Sequence, residues 1–256
     1  MYTSVYVCDR AHVFQLTVTP FGTMSFKPVD EMSAGERKEA LKAFLKDMYH
    51  GRQKELYKWS RVTSQTPFVE TKWLGQNIVS FITGVPGTLT AARGKDLSDG
   101  SEIKSCSRVG QMSRCGKCGT PVAPFHDACP KCGNRDIDRK TDSHWIFNVS
   151  SEPKKRKLLE TNKIYLVLID NEDAGSDPTK LARFRVWELR PKENALFREY
   201  VEDYYRTFYV ARRQRGEEPA PMNLHPLNPK TNRLDMKLVF DAQMNLEGDV
   251  SIASFA

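Results

Sequence analysis

The chain has 256 residues, of which 39% are hydrophobic and 10% aromatic, and it carries a formal net charge of +7. That much apolar material builds a core and excludes wholesale disorder, and the length suits one large domain or one domain with an appendage. The basic balance favours a polyanionic partner, of which nucleic acid is the commonest.

Residues 2 to 18 alternate loosely and predict one or two strands. Asp9 and Arg10 interrupt them, so no secretory signal is read there. The most apolar runs, such as Ile164 to Ile169, are too short to span a bilayer. The expectation is a cytoplasmic protein with no membrane contact. In that reducing compartment six cysteines point to metal binding or chemistry before disulfides.

Ser33 followed by Glu36 makes a capping box, and a helix is predicted from there to about Trp59. Leu41, Phe44, Leu45, Met48, Leu56 and Trp59 fall mostly at helical spacing, and Gly51 leaves two helices as an alternative. Pro67 breaks the chain. A second helix is predicted from about Glu70 to Ile82, ended by Gly84, Pro86 and Gly87. Leu89 to Leu97, the turn Ser98-Asp99-Gly100 and the strand Glu102 to Cys106 read as a hairpin. Four cysteines lie between 114 and 134. Strands are predicted at His144 to Val149, Ile164 to Ile169 and Phe184 to Leu189. Asn194 to Arg212 reads as a helix rich in tyrosine and arginine, Gly216 to Pro229 as a loop, and Met236 to Phe240 and Val250 to Phe255 as strands.

Cys115-Gly-Lys-Cys118-Gly119 and Cys129-Pro-Lys-Cys132-Gly133 are two copies of one pattern. Two residues between sulfurs let one tight turn aim both thiolates at one ion, and the glycine permits the close backbone approach. Two such knuckles close a tetrahedral four-cysteine site for a structural Zn²⁺. Cys8 and Cys106 read as buried thiols, and His126 as a loop residue. Flanking basic residues, Arg114 among them, form either a phosphate-facing surface or a solvated face.

The most informative stretch runs from Arg93 through Asp96, Asp99 and Glu102 to Lys104. On a strand, Glu102 and Lys104 point the same way and Ile103 points into the core. Asp96, on the preceding arm, reaches the same spot. Two carboxylates supply hard oxygens for Mg²⁺. A bound Mg²⁺ improves a water nucleophile and offsets charge on a phosphate, and Lys104 orients the water or neutralises the phosphate.

This arrangement resembles the PD-(D/E)XK nuclease superfamily, with Asp96 and Glu102-Ile103-Lys104 in its acidic and lysine positions. The spacing from Asp96 to Glu102 is short for that superfamily, and Asp99 is the alternative first acid. The stretch from Trp73-Leu-Gly-Gln through Asp96, Glu102-Ile-Lys, both knuckles and Asp142-Ser-His-Trp-Ile-Phe is similar to the MamI-type type II restriction endonucleases. That resemblance covers roughly residues 70 to 150. It implies a Mg²⁺-dependent enzyme that hydrolyses both strands of duplex DNA at a short specific site, usually as a homodimer.

The implied fold is α/β, a restriction-endonuclease-like central mixed sheet flanked by helices with an inserted four-cysteine zinc ribbon. Residues 1–256 form one catalytic domain, 112–136 the ribbon, and 190–256 a part that contributes to DNA recognition. Glu70 is a further acidic candidate, or simply a favourable charge in a first helical turn, and Gln76 also faces the site. Ser105, Ser107 and Arg108 are candidate phosphate ligands. The tyrosine–arginine helix suits a DNA face, or a core face with solvated arginines. Asn223 and His225 are candidate base readers on a proline-fixed loop. Two competing functions stand beside restriction: a non-enzymatic zinc-ribbon protein that binds nucleic acid, and a structure-specific repair nuclease.

Overall fold

The computed structural model describes residues 27–67, 69–88, 95–140, 142–170, 182–226 and 228–256. The strands expected over residues 2–18, the thiol of Cys8 and residues 89–94 of the expected hairpin arm lie outside them. The first helices are α1 (Ala34–Leu45), α2 (Arg52–Thr63) and α3 (Thr71–Thr83). Then come β1 (Glu102–Ser107), β2 (Ser113–Cys115), β3 (Pro121–Val122), β4 (Ile137–Asp138), β5 (Trp145–Phe147) and α4 (Glu152–Leu159). The rest comprises β6 (Ile164–Asp170), β7 (Ala182–Leu189), α5 (Ala195–Asp203), α6 (Ala211–Gln214), β8 (Met222–Leu224), α7 (Pro229–Asn232), β9 (Lys237–Met244) and β10 (Val250–Phe255).

α1 starts where the sequence predicts. The Glu36 amide donates to Ser33 Oγ at 3.3 Å and the Ser33 amide to Glu36 Oε2 at 2.8 Å, which satisfies two orphan amides reciprocally. Beyond α1, a π-helical turn, Lys46–Gly51, leads straight into α2, so the helical run continues through the weak point at Gly51.

Among the described residues the main sheet has the order β1-β6-β7-β9-β10, with β1 parallel to β6 and the other pairs antiparallel. It is a mixed sheet in an α/β chain. A parallel pair needs a long crossover, and residues 108–163 supply it, carrying β2 to β5 and α4. β6 is buried along its whole length, as a central strand covered on both faces must be. Tyr165, Val167 and Ile169 enter one core with Leu41, Leu45, Leu74 and Ile78 of the first helices. Ile164, Leu166 and Leu168 enter another with Trp145, Phe147 and Phe197. Helices α1 and α3 therefore cover one face, and α5 with the small β5–β8 sheet covers the other.

One sequence expectation is corrected; another, the hairpin of Leu89 to Cys106, falls mostly on residues 89–94, outside the described ones. The turn itself is present, with Gly100 at φ +87° and its amide donating to Leu97 O at 3.0 Å. The Ile103 amide on β1, however, donates to the Asp96 carboxylate instead of a backbone carbonyl. The proline-rich segment before Pro229 is not all loop. Met222 and Leu224 are buried and pair across from Phe147 and Trp145; apolar burial there overrides the loop signal of the neighbouring prolines. Pro229 opens the one-turn α7, with Asn228 Oδ1 accepting from the Lys230 amide at 2.9 Å.

Candidate functional site

The acidic and lysine side chains named by the sequence lie around the start of β1. Ile103 is 6% exposed and belongs to the core under α3, so strand alternation sends Glu102 and Lys104 to the other face. There Lys104 Nζ donates to Glu102 Oε1 at 2.6 Å, and both side chains are partly buried. Asp96 sits at the edge of the same strand. Its Oδ2 accepts from the Ile103 amide at 2.8 Å, and its Oδ1 accepts from Gln76 Nε2 of α3 at 2.6 Å. The Asp96 carboxylate thus rests on the peptide that joins Glu102 to Ile103, held by two donors from different elements. Asp99, the alternative first acid, accepts from the Ser101 amide at 2.9 Å inside the turn, as turn aspartates do.

Glu70 caps the start of α3 without a side-chain capping bond. With Trp73, Gln76 and Asp96 it lines a groove of about 610 Å³ between α3 and the chain before β1. Among the described residues it does not join Asp96 and Glu102 in a cluster with all ligand oxygens within 4.8 Å. Asp96 and Glu102 each offer hard carboxylate oxygens, the donor type a divalent cation takes, and each oxygen has two lone pairs, so the hydrogen bonds already made leave further acceptor capacity.

The basic and polar candidates are placed less uniformly. For Ser105 the expectation is corrected. Its Oγ is shut between β1 and α3, without a hydrogen-bond partner, where α3 presents Gly75; a Cβ added at Gly75 would lie 2.0 Å from it. Phosphate has no access there. Ser107 Oγ accepts from the Val109 amide at 3.1 Å and closes the strand end. Arg108 pairs with Asp170 at 3.0 Å, and Arg185 pairs with the same carboxylate at 2.9 Å. Asp170 is 3% exposed, and this buried partnership has no short-range signal in the sequence. Asn223 lies on β8, with Oδ1 shielded from solvent. His225, just beyond β8, holds Nδ1 3.3 Å from Asp142 Oδ1. In the tyrosine–arginine helix, Tyr209 donates to Ser150 O at 2.6 Å, while Arg212 and Arg215 both bind Glu217. Much of that positive charge is therefore offset locally.

The four cysteines of the knuckles form a second centre. β2, β3 and β4 make a three-stranded sheet that carries them. Cys115 Sγ is 3.6 Å from Cys132 Sγ, Cys118 Sγ is 3.6 Å from Cys129 Sγ, and Cys132 Sγ is 3.5 Å from Cys118 Sγ. A tetrahedron with metal–sulfur bonds of about 2.3 Å has sulfurs about 3.8 Å apart, so the cluster fits one ion. The two knuckles are near copies: the Gly119 amide donates to Cys115 O and the Gly133 amide to Cys129 O, both at 2.9 Å, with both glycines at positive φ. Thr120, through its side chain and its backbone, holds the Cys118 thiol down at about 6. The Asn134 amide also pulls Cys132 down, but the neighbouring sulfurs outweigh it and push that thiol up to about 12. His126 stays outside the cluster and gives its carbonyl to Arg139 at 2.7 Å. Cys106 is a buried thiol raised to about 12 by desolvation, which suits packing and not chemistry.

Fold and centres define an α/β protein with a helix-flanked mixed sheet and a four-cysteine cluster able to hold a metal. Comparison with known proteins narrows this. The model of the MamI restriction endonuclease family matches residues 58–255, and the chain belongs to that family. It is 28% identical to the type II restriction enzyme MamI of Microbacterium ammoniaphilum over 211 residues, covering 78% of this chain and 60% of that enzyme. The chain thus spans about three-fifths of the relative's length. No solved structure matches it.

Proposed function

We propose that this chain is a type II restriction endonuclease that hydrolyses phosphodiester bonds in both strands of duplex DNA at a short specific site. The carrying observation is the Asp96 carboxylate clamped on the Glu102–Ile103 peptide beside the Glu102–Lys104 pair, in a chain of a restriction endonuclease family. In this reading the sheet is the PD-(D/E)XK core and residues 1–256 are one catalytic domain, with 112–136 inserted as a ribbon around Zn²⁺ and 190–256 contributing to recognition. Asp96 and Glu102 hold Mg²⁺, with Glu70 as a further acid at the groove. Bound there, Mg²⁺ supplies positive charge against the phosphate and acidifies water.

The protein's own groups do the rest. Gln76 and the Ile103 amide fix the Asp96 carboxylate before substrate arrives, so little reorganisation remains. Lys104 delivers an ammonium to the scissile phosphate or its attacking water, and Glu102 fixes where that ammonium points. Arg114 and His225 are exposed and remain candidates for contact with DNA. Arg108 and Ser107 act through structure, given their bonds to Asp170 and the Val109 amide, as do Ser105 and Asn223, whose side-chain oxygens are shut away from solvent. A C2 homodimer, one subunit per strand, matches a two-fold symmetric site, and the cytoplasm is the setting.

Plasmid DNA incubated with the purified protein and Mg²⁺ tests the reading. Discrete fragments that persist at long times are expected. DNA bound but left intact at every Mg²⁺ concentration would instead mean a non-enzymatic binding protein.

A further inference from the structure

Among the described residues one other group of metal-ligating side chains comes together: Asp142, His144 and His225, with ligand atoms all within 4.8 Å of one another. Its origin is the small β5–β8 sheet. Trp145 pairs with Leu224 and Ile146 with Asn223 in antiparallel register. Just beyond the paired residues, the rings of His144 and His225 lie beside each other. Trp145 and Phe147 point into the core, and just before them Asp142 and His144 bring their ligand atoms together on the same side as His225. Two imidazoles and one carboxylate are thus gathered by strand pairing and not by a single loop.

The distances suit an ion. Metal–nitrogen and metal–oxygen bonds of about 2.0–2.2 Å place two ligand atoms about 3.0–3.4 Å apart in tetrahedral or octahedral arrangements. His225 Nδ1 lies 3.3 Å from Asp142 Oδ1. A plain ion pair would account for those two residues but leaves out the third. The His144 ring lies 5.2 Å from the His225 ring, and its Nδ1 is enclosed with no hydrogen-bond partner. The side chains of His225 and Asp142 are 45% and 59% exposed, so they have room to close on an ion and they leave one side open to solvent.

We propose that Asp142, His144 and His225 form a transition-metal site, separate from the four-cysteine cluster and from the carboxylates beside β1. Two imidazole nitrogens select borderline ions such as Zn²⁺, Ni²⁺ or Co²⁺ over Mg²⁺, which takes oxygen ligands. Three protein ligands leave a coordination position for water. The ion joins the chain leaving the ribbon to the segment after β8, and so fixes the placement of His225.

Cobalt loading of the full chain in excess Mg²⁺, which keeps Co²⁺ from the oxygen donors of Asp96 and Glu102, tests this, because the two remaining donor sets differ in their spectra. Thiolate-to-cobalt charge transfer in the near ultraviolet marks the ion at the cysteines; an ion held by nitrogen and oxygen shows only the weaker visible bands. The wild type is expected to take up a second Co²⁺ that adds visible absorbance without thiolate charge transfer. His225→Gln and Asp142→Asn, both at exposed positions, are expected to lose that second ion and keep the thiolate band, with an unchanged circular dichroism spectrum. Uptake of the thiolate-bound ion alone by the wild type, or a second ion that survives both substitutions, would overturn the proposal.

Discussion

Asp96 makes the two contacts on which the site's geometry turns, one to Gln76 Nε2 and one to the Ile103 amide. A carboxylate held from two sides presents its remaining lone pairs in fixed directions. Gln76→Ala removes one of the two supports and leaves every proposed metal ligand in place. We expect it to raise the Mg²⁺ concentration for half-maximal cleavage about 10–100-fold, with thermal unfolding little changed; cleavage rates across a Mg²⁺ titration measure this. At the scale of single residues the sequence is most informative where chemistry is local. The CxxCG spacing and the Glu-x-Lys alternation both name side chains whose relative positions the backbone itself dictates. It is least informative for Arg108 and Ser105. Both read as phosphate ligands, but their surroundings come from β6, β7 and α3, which no short-range pattern brings to them.

Between elements, α3 fits closely on β1. Gly75 lets the helix backbone approach the strand, and an added Cβ would meet Ser105 Oγ at 2.0 Å and Ser105 Cβ at 2.9 Å. Gly75→Ala is therefore expected to destabilise by about 1–3 kcal/mol through overpacking, and the double variant Gly75→Ala, Ser105→Gly to recover most of it; urea unfolding of the four forms checks the coupling. The capping box of α1 gives a second test. The Ser33 amide, with Lys27 behind it, holds the Glu36 carboxyl down at about 2. A depressed carboxyl stabilises fully above its unfolded value of about 4.3, and that stabilisation is lost as pH falls through about 2. Glu36→Ala should lower the melting temperature at neutral pH, and the gap should close in that acid window. α1 is legible because its signals lie within four residues. β8 is not, because its evidence is a partner strand some 75 residues earlier in the chain and its own neighbours are prolines.

For the whole molecule, the mixed sheet places β1 at the end of the strand order, parallel to β6. The crossover between them holds the cysteine cluster and the Asp142–His144 segment, so both of these groups are built on the return path of the strand that bears the acidic site. The helix-flanked α/β class is readable from alternating helix and strand periodicities. The strand order is not, since it depends on long-range pairing. If Glu102 and Lys104 act on DNA phosphate, removing the ammonium must slow the chemistry and spare the binding. The direct measurement is single-turnover cleavage in Mg²⁺ by wild type and Lys104→Ala, with duplex binding measured on the same preparations in Ca²⁺. A rate loss of at least about 100-fold is expected, with binding within a few-fold of wild type. A Lys104→Ala protein that cuts at close to the wild-type rate would contradict that role for the pair.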